Sequence, residues 1–177
     1  ARAYWTFKVF GHAKVSILDG GYKLWLKKYP SLISKGNTKK NIRGNFTAKF
    51  NASLYASTAD VAKVSGAKSD IILLDGRNKE QFIGEKKHKK AGRFGHIPGA
   101  QLISQAKTYN PASNQLKNKT ELNDLFSEVT SKPVISYCNT GHWAATNWFA
   151  LSEVLGNKNV KLYDGSMVEW TADASRK

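Results

Sequence analysis

Val134-Ile135-Ser136-Tyr137-Cys138-Asn139-Thr140-Gly141-His142-Trp143 runs directly into Ala144-Ala145-Thr146-Asn147-Trp148-Phe149-Ala150-Leu151, and the reading of this stretch decides the fold. Its first part is short, apolar and rich in β-branched residues, the pattern of a buried strand. The strand ends at Cys138, the sole cysteine among 177 residues. Beyond the loop the pattern turns helical, with Trp148, Leu151 and Leu155 at spacings of three and four. Cys138 is therefore expected at the carboxyl end of a strand, in a tight loop that faces the start of a helix. Such a loop curls backbone N–H groups around the sulfur and aims the positive end of the helix at it. Both effects favour the thiolate, the nucleophilic form of cysteine. The bland alternative for a lone cysteine is a buried small hydrophobe.

Working outward, the rest of the chain alternates strands and helices. Thr58 is placed to cap a short helix through Val64, with Val61 and Val64 on one face. Ile71-Ile72-Leu73-Leu74-Asp75 is a continuous apolar run of the kind buried on both faces of a parallel sheet. Lys79 to Ile83 reads as a short helix, and Ala100-Gln101-Leu102-Ile103 as a strand after the Pro98-Gly99 turn. Tyr109 to Asn114 reads as a loop. Thr120 to Val129 is amphipathic, with Leu122, Leu125 and Phe126 on the buried side, and Lys132-Pro133 breaks it. Val160 to Tyr163 is the last strand. This alternation specifies an α/β fold with a mostly parallel central sheet flanked by helices. The crevice of such a sheet lies at the carboxyl ends of its strands, where Cys138 falls.

Four stretches, in order, resemble one family. Leu73-Leu74-Asp75-Gly76-Arg77 with Glu80-Gln81-Phe82, then Gly95-His96-Ile97-Pro98-Gly99-Ala100, then the Cys138–Trp143 loop, then Leu162-Tyr163-Asp164-Gly165-Ser166 through Glu169-Trp170, are similar to the motifs of the rhodanese sulfurtransferases. The resemblance covers roughly residues 55 to 173. It implies a rhodanese-like domain in which Cys138 is the catalytic nucleophile. It also implies that Asn139, Thr140, Gly141, His142 and Trp143 form the loop that binds substrate and holds the persulfide. Asp75, Arg77 and Gln81 are implied as supporting residues, Asp75 and Arg77 as a charge pair. His96 is read as structural. The implied substrates are a small anionic sulfur donor, thiosulfate or 3-mercaptopyruvate, and a thiol or cyanide acceptor. No cofactor and no metal are implied. The alternative is a non-catalytic rhodanese-like binding or sulfur-carrier module that is inactive without a first domain.

The loop departs from the commonest family patterns. Thiosulfate users commonly carry basic residues after the cysteine, where this chain has Asn139 and Thr140. Mercaptopyruvate users commonly have Gly-Ser-Gly there, against Asn-Thr-Gly here. A donor-binding arginine often precedes the aromatic of the first motif, where this chain has Gln81. Phosphatases of the same fold place an arginine six residues after the cysteine to hold phosphate; that position is Ala144. Cys138, His142, His88 and His96 have no recognisable metal-ligand spacing.

The first 25 residues repeat part of the closing motif. Gly11, Val15, Asp19, Gly20 and Trp25 coincide with Gly156, Val160, Asp164, Gly165 and Trp170 at a constant offset of 145 residues. A period this long indicates duplicated domains. Residues 1–25 are thus expected to be the carboxyl-terminal remnant of a first rhodanese-like domain, with a linker over 26–53 and a complete catalytic domain over 54–177. This organisation resembles the tandem sulfurtransferases. The remnant, read as one helix and one or two strands, has no sheet of its own, so it must lie on the second domain, pair with the missing first domain or another chain, or be poorly ordered. In the linker, Phe46, Ala48 and Phe50 alternate with Thr47 and Lys49, the pattern of a short docked extended segment; the alternative is a mobile linker throughout.

Net charge is +15 and the pI about 9.9. No nucleic-acid module signature accompanies the charge, so no nucleic-acid partner is expected. The densest basic run, Lys86-Lys87-His88-Lys89-Lys90 with Arg93, is read as a solvated loop or as a field that steers small anions. No apolar run approaches the length of a membrane span, so no membrane partner is expected. A lone cysteine forms no internal disulfide, and the compartment stays open between cytoplasm and periplasm.

Overall fold

Leu73, Leu74 and Asp75 are almost fully buried, as a strand covered on both faces requires. In the computed structural model, which describes residues 1–36 and 43–176, they belong to β1 (Ile72–Asp75). β2 is Gln101–Leu102, β3 Val134–Tyr137 and β4 Val160–Leu162. The order is β2-β1-β3-β4, and every pairing is parallel. Asp75 lies opposite Tyr137 in the register, so both residues reach the carboxyl edge together. A parallel bridge from Tyr55 to Leu162 extends the sheet beyond β4.

Side-chain alternation divides the core. Leu74, Val134, Val160 and Leu162 face one layer. It contains α1 (Arg2–Val9), α5 (Lys119–Leu125) and α6 (His142–Phe149). Trp148 of α6 is completely buried there, and its indole N–H donates to the Val160 carbonyl at 3.0 Å. Leu73, Ile135, Tyr137 and Tyr163 face the other layer with Val61, Ile97, Met167 and Trp170. That layer is built by α3 (Thr58–Val64), α7 (Ser166–Trp170) and the loop that follows α4 (Lys79–Phe82). The α/β fold read from the alternation is the fold observed.

Three local readings change. Ser57, not Thr58, caps α3: its hydroxyl accepts from the Asp60 N–H while the Asp60 carboxylate accepts from the Ser57 N–H. Of two adjacent hydroxyl residues, the one three before the acid closes a capping box. α5 starts one residue earlier than its apolar pattern, capped by Asn118 and Glu121, and ends at Leu125. Phe126 and Val129 remain buried in the turns that follow. Residues 13–17 form no strand, although their repeat counterparts make β4. With no sheet edge to pair with, this stretch leaves Ile17 39% and Leu18 55% exposed.

The amino-terminal segment lies on the domain. Trp5 and Val9 of α1 are buried in the α6 layer, and the Trp5 indole donates to the Leu54 carbonyl at 3.1 Å. Tyr4 packs edge-on against Phe149 with centroids 5.1 Å apart, and its hydroxyl donates to Glu153 at 2.5 Å. α2 (Gly21–Lys28) follows, and Asp19 accepts the Leu116 N–H at 2.9 Å. Of the expected linker, residues 37–42 lie outside the described residues. The docked segment is present: the N–H groups of Lys49 and Asn51 donate to the Phe10 and Val9 carbonyls at 2.9 and 2.7 Å.

Candidate active site

β3 delivers Cys138 to the carboxyl edge of the sheet, and α6 begins four residues later. Gly141 makes the turn between them with φ +77°, a conformation that L side chains rarely adopt. Space makes the same demand, because a Cβ on Gly141 would lie 2.5 Å from Asp164 Oδ1 and 2.9 Å from the Asp164 carbonyl. The loop thus winds tightly at the amino end of α6, as its sequence implies.

Ser166 holds the loop from outside. Its hydroxyl accepts the Cys138 N–H at 3.0 Å and the Gly141 N–H at 3.1 Å, while donating to the Tyr163 carbonyl at 2.9 Å. Behind it, the Met167 and Val168 N–H groups donate to the Cys138 and Asn139 carbonyls, each at 3.1 Å. Ser166 takes up this position with φ +51°, rare for a residue with a side chain. The Gly141 N–H is therefore already engaged, which removes it from the donors expected of the loop. The N–H groups of Asn139, Thr140, His142 and Trp143 have no acceptor among the described residues. Sequence reasoning did not single out Ser166. One signal was present: its repeat counterpart is Gly21, which has φ +57°.

Asp75 and Arg77 form a buried ion pair beneath the loop. Their side chains are 0% and 1% exposed, and the guanidinium binds both carboxylate oxygens, Nη2 to Oδ2 at 2.7 Å and Nε to Oδ1 at 3.0 Å. Arg77 also donates to the Gly95 carbonyl at 2.8 Å. Tyr137 completes the unit, accepting the Ile97 N–H at 3.2 Å beside the Asp75 carboxylate. Burial, with the Asp75 charge beside it, pushes the Tyr137 phenol well above its ordinary pKa. The first-motif strand, the Gly95–Ala100 hexapeptide and the cysteine strand are thereby locked together. His96 belongs to the same support: its ring stacks on Phe82 with centroids 3.8 Å apart.

Gln81 reaches the loop through Asn139, whose amide donates to Gln81 Oε1 at 3.0 Å. Asn139 is 4% exposed, and its Oδ1 has no hydrogen-bond partner among the described residues. His142 and Trp143 are exposed at the mouth, where the His142 ring lies 3.1 Å from the Thr140 carbonyl. Of the basic run, Lys87 donates to the Ala91 carbonyl at 2.8 Å, and Arg93 to the carbonyls of Asp173 and Arg176. Arg93 thus fastens the loop to the carboxyl-terminal turn, while Lys87 closes the loop on itself. Among the described residues no group of three His, Cys, Asp or Glu side chains could hold a metal ion. Nor, among them, is any helix long and apolar enough to cross a membrane.

Known proteins match this chain over most of its length. The family model of the rhodanese-like domain matches residues 57–173. A protein named putative thiosulfate sulfurtransferase from Mycolicibacterium smegmatis is 36% identical over 96% of this chain and 63% of its own length. One of the same name from Haloferax volcanii is 35% identical over 96% of this chain and 61% of its own. The chain thus spans about three-fifths of the length of these relatives. Among solved structures, wild-type EanB superposes with a TM-score of 0.86 at 23% identity, over 99% of this chain and 43% of that one. A hercynine complex of an EanB variant gives a TM-score of 0.88 at 22% identity, over the same shares. At these identities the structural likeness concerns the fold.

Proposed function

Starting from the fact that this chain belongs to the rhodanese-like domain family, we propose that it is a sulfurtransferase working through a Cys138 persulfide. The observation that carries this reading is the Cys138 loop. The sole cysteine sits at the amino end of α6, in a turn pinned by Ser166, with four loop N–H groups left without an acceptor among the described residues.

In the first half-reaction the Cys138 thiolate attacks the outer sulfur of thiosulfate. An S–S bond forms to the enzyme, the S–S bond of thiosulfate breaks, and sulfite leaves with the electron pair. With 3-mercaptopyruvate the C–S bond breaks instead, and pyruvate leaves as its enolate and takes a proton. In the second half-reaction cyanide or a thiolate attacks the terminal sulfur, and the Cys138 thiolate is the leaving group. This is nucleophilic catalysis in two steps, with ping-pong kinetics. The N–H groups of Asn139, Thr140, His142 and Trp143 serve the persulfide anion as an oxyanion hole serves an alkoxide. Asp75, Arg77 and Gln81 act through the loop they support. The repeat fits a second part of the reading: α1 and α2 are the counterparts of the α6 end and of α7, left from a duplicated domain.

A second reading, a binding or sulfur-carrier module, draws on one observation. The residue after Cys138 is paired with neutral Gln81 rather than with a cation. Steady-state assays separate the two. Thiocyanate formation from thiosulfate and cyanide, or pyruvate formation from 3-mercaptopyruvate and a thiol, is expected with the native chain and lost in Cys138→Ser. Binding of either donor without turnover favours the module.

A further inference from the structure

The site contains an uncompensated feature on its own side of the sheet. Asp164 follows β4, and its Oδ1 and carbonyl, together with the Arg2 guanidinium, lie so close to the Gly141 turn that Gly141 has no room for a Cβ. Asp164 also stands two residues before Ser166, which binds the Cys138 and Gly141 N–H groups. A carboxylate in this position opposes both an incoming anionic donor and a persulfide anion. Its partner comes from outside the rhodanese-like domain: Arg2, the first residue of α1, binds Asp164 Oδ1 through its guanidinium. Arg2 is held in place by the helix that carries it. Its guanidinium lies 5.0 Å from the centroid of the Trp5 ring, and Trp5 is 4% exposed. Nothing in the Cys138–Trp143 loop itself bears a permanent positive charge.

We propose that Arg2 is a positioning residue of the sulfur-transfer site, cancelling the Asp164 carboxylate beside the Gly141 turn so that the Cys138 loop admits an anion. This inference rests on the reading of Cys138 as a nucleophile for anionic donors. Arg2 touches no reacting atom; it acts through Asp164. The amino-terminal segment thereby becomes part of the site rather than a surface attachment, since α1 supplies a charge that the domain lacks.

The test uses the 177-residue chain and needs no sulfur-transfer activity. Cys138 is alkylated in parallel with iodoacetate, which is anionic, and iodoacetamide, which is neutral and of similar size. The ratio of the two rates reads the local field. Arg2→Gln is expected to lower the iodoacetate-to-iodoacetamide ratio by a factor on the order of three to ten, the scale of one unit charge at partial exposure beside the loop. Asp164→Asn in the same chain is expected to restore it, and Arg2→Lys to preserve most of it. A purely structural role for Arg2 would slow or speed both reagents alike, and that result overturns the proposal. So does a ratio that falls in Arg2→Gln but fails to recover in the double variant. Near-native thermal midpoints confirm that α1 remains docked through Trp5 and Val9. If the ratios behave as expected while no donor is turned over, Arg2 sets the charge felt at Cys138, but the catalytic reading falls and the role in sulfur transfer falls with it.

Discussion

Ser166 Oγ accepts the Cys138 N–H at 3.0 Å, so the first residue of α7 shapes the loop that ends β3. The contact spans 28 residues of sequence and joins the last two motifs of the chain. It also explains how a single hydroxyl satisfies two buried donors while its own proton goes to Tyr163. A buried N–H left without an acceptor costs about 1–3 kcal/mol.

Replacing Ser166 by alanine strands both N–H groups and keeps the unfavourable φ. Ser166→Ala should lower unfolding free energy by about 1–3 kcal/mol and slow alkylation or sulfur loading of Cys138. Urea denaturation and the rate of Cys138 modification check this. Ser166→Gly relieves the backbone but still loses the oxygen, so it should fall between the native chain and Ser166→Ala. An alanine variant with native stability and native reactivity would show that Ser166 is not the clamp.

The Asp75–Arg77 pair predicts an asymmetry. Arg77→Met leaves a buried carboxylate without its cation and should cost about 3–5 kcal/mol. Asp75→Leu combined with Arg77→Met removes both charges and should be less damaging than Arg77→Met alone, although it still loses the Tyr137 and Gly95 contacts. Paired urea curves on the single and double variants decide the matter. Equal losses would mean that packing, not charge, dominates here.

The pH dependence has a sign on each side. Burial raises the Tyr163 phenol to about 12 and pushes Tyr137 well above its ordinary value. A raised folded-state pKa contributes stability that is intact below the unfolded value near 10 and is lost as pH rises through the folded one. The urea midpoint should therefore fall between about pH 10 and pH 12, and fall less in Tyr163→Phe. On the acid side, hydrogen bonds from Ser57 hold the Asp60 carboxyl below its ordinary value. Its contribution is present above the unfolded value of 3.8 and is lost as pH falls through the lower folded one. In Asp60→Asn that part of the acid slope should disappear.

The amino-terminal helix should behave as a packed element. Trp5 is 4% exposed in the α6 layer, whereas Phe7, two residues on and on the opposite side of α1, is 47% exposed. Trp5→Ala should cost about 3–5 kcal/mol and Phe7→Ala no more than about 0.5 kcal/mol. Thermal and urea unfolding of the two variants measure the contrast. Similar small losses in both would mean that α1 contributes little to the fold.

Much of this was legible in the sequence, for identifiable reasons. The apolar runs at Ile71–Asp75 and Val134–Tyr137 could only be doubly covered strands, and they fix the sheet. The Cys138–Trp143 loop could be placed because strand and helix patterns abut it. What escaped notice were contacts between distant segments. Ser166 reads locally as a turn residue, and its two acceptor bonds exist only once β3 and β4 are side by side. Arg2 is one of many basic residues until α1 docks on α6. Residues 13–17 show the converse failure: their pattern is that of a strand, but strand formation needs an edge, and none is at hand. The Thr58 cap was displaced by one residue because Asp60 selects Ser57 as its partner.

The central claim is that Cys138 accepts sulfur, and intact mass tests it most directly. The purified chain is weighed after exposure to thiosulfate and, separately, to 3-mercaptopyruvate, with Cys138→Ala alongside. The account predicts a gain of one sulfur atom with at least one donor, reversed by cyanide and absent from the alanine variant. Folded chain that gains no sulfur from either donor, or gains it equally in Cys138→Ala, would contradict the account.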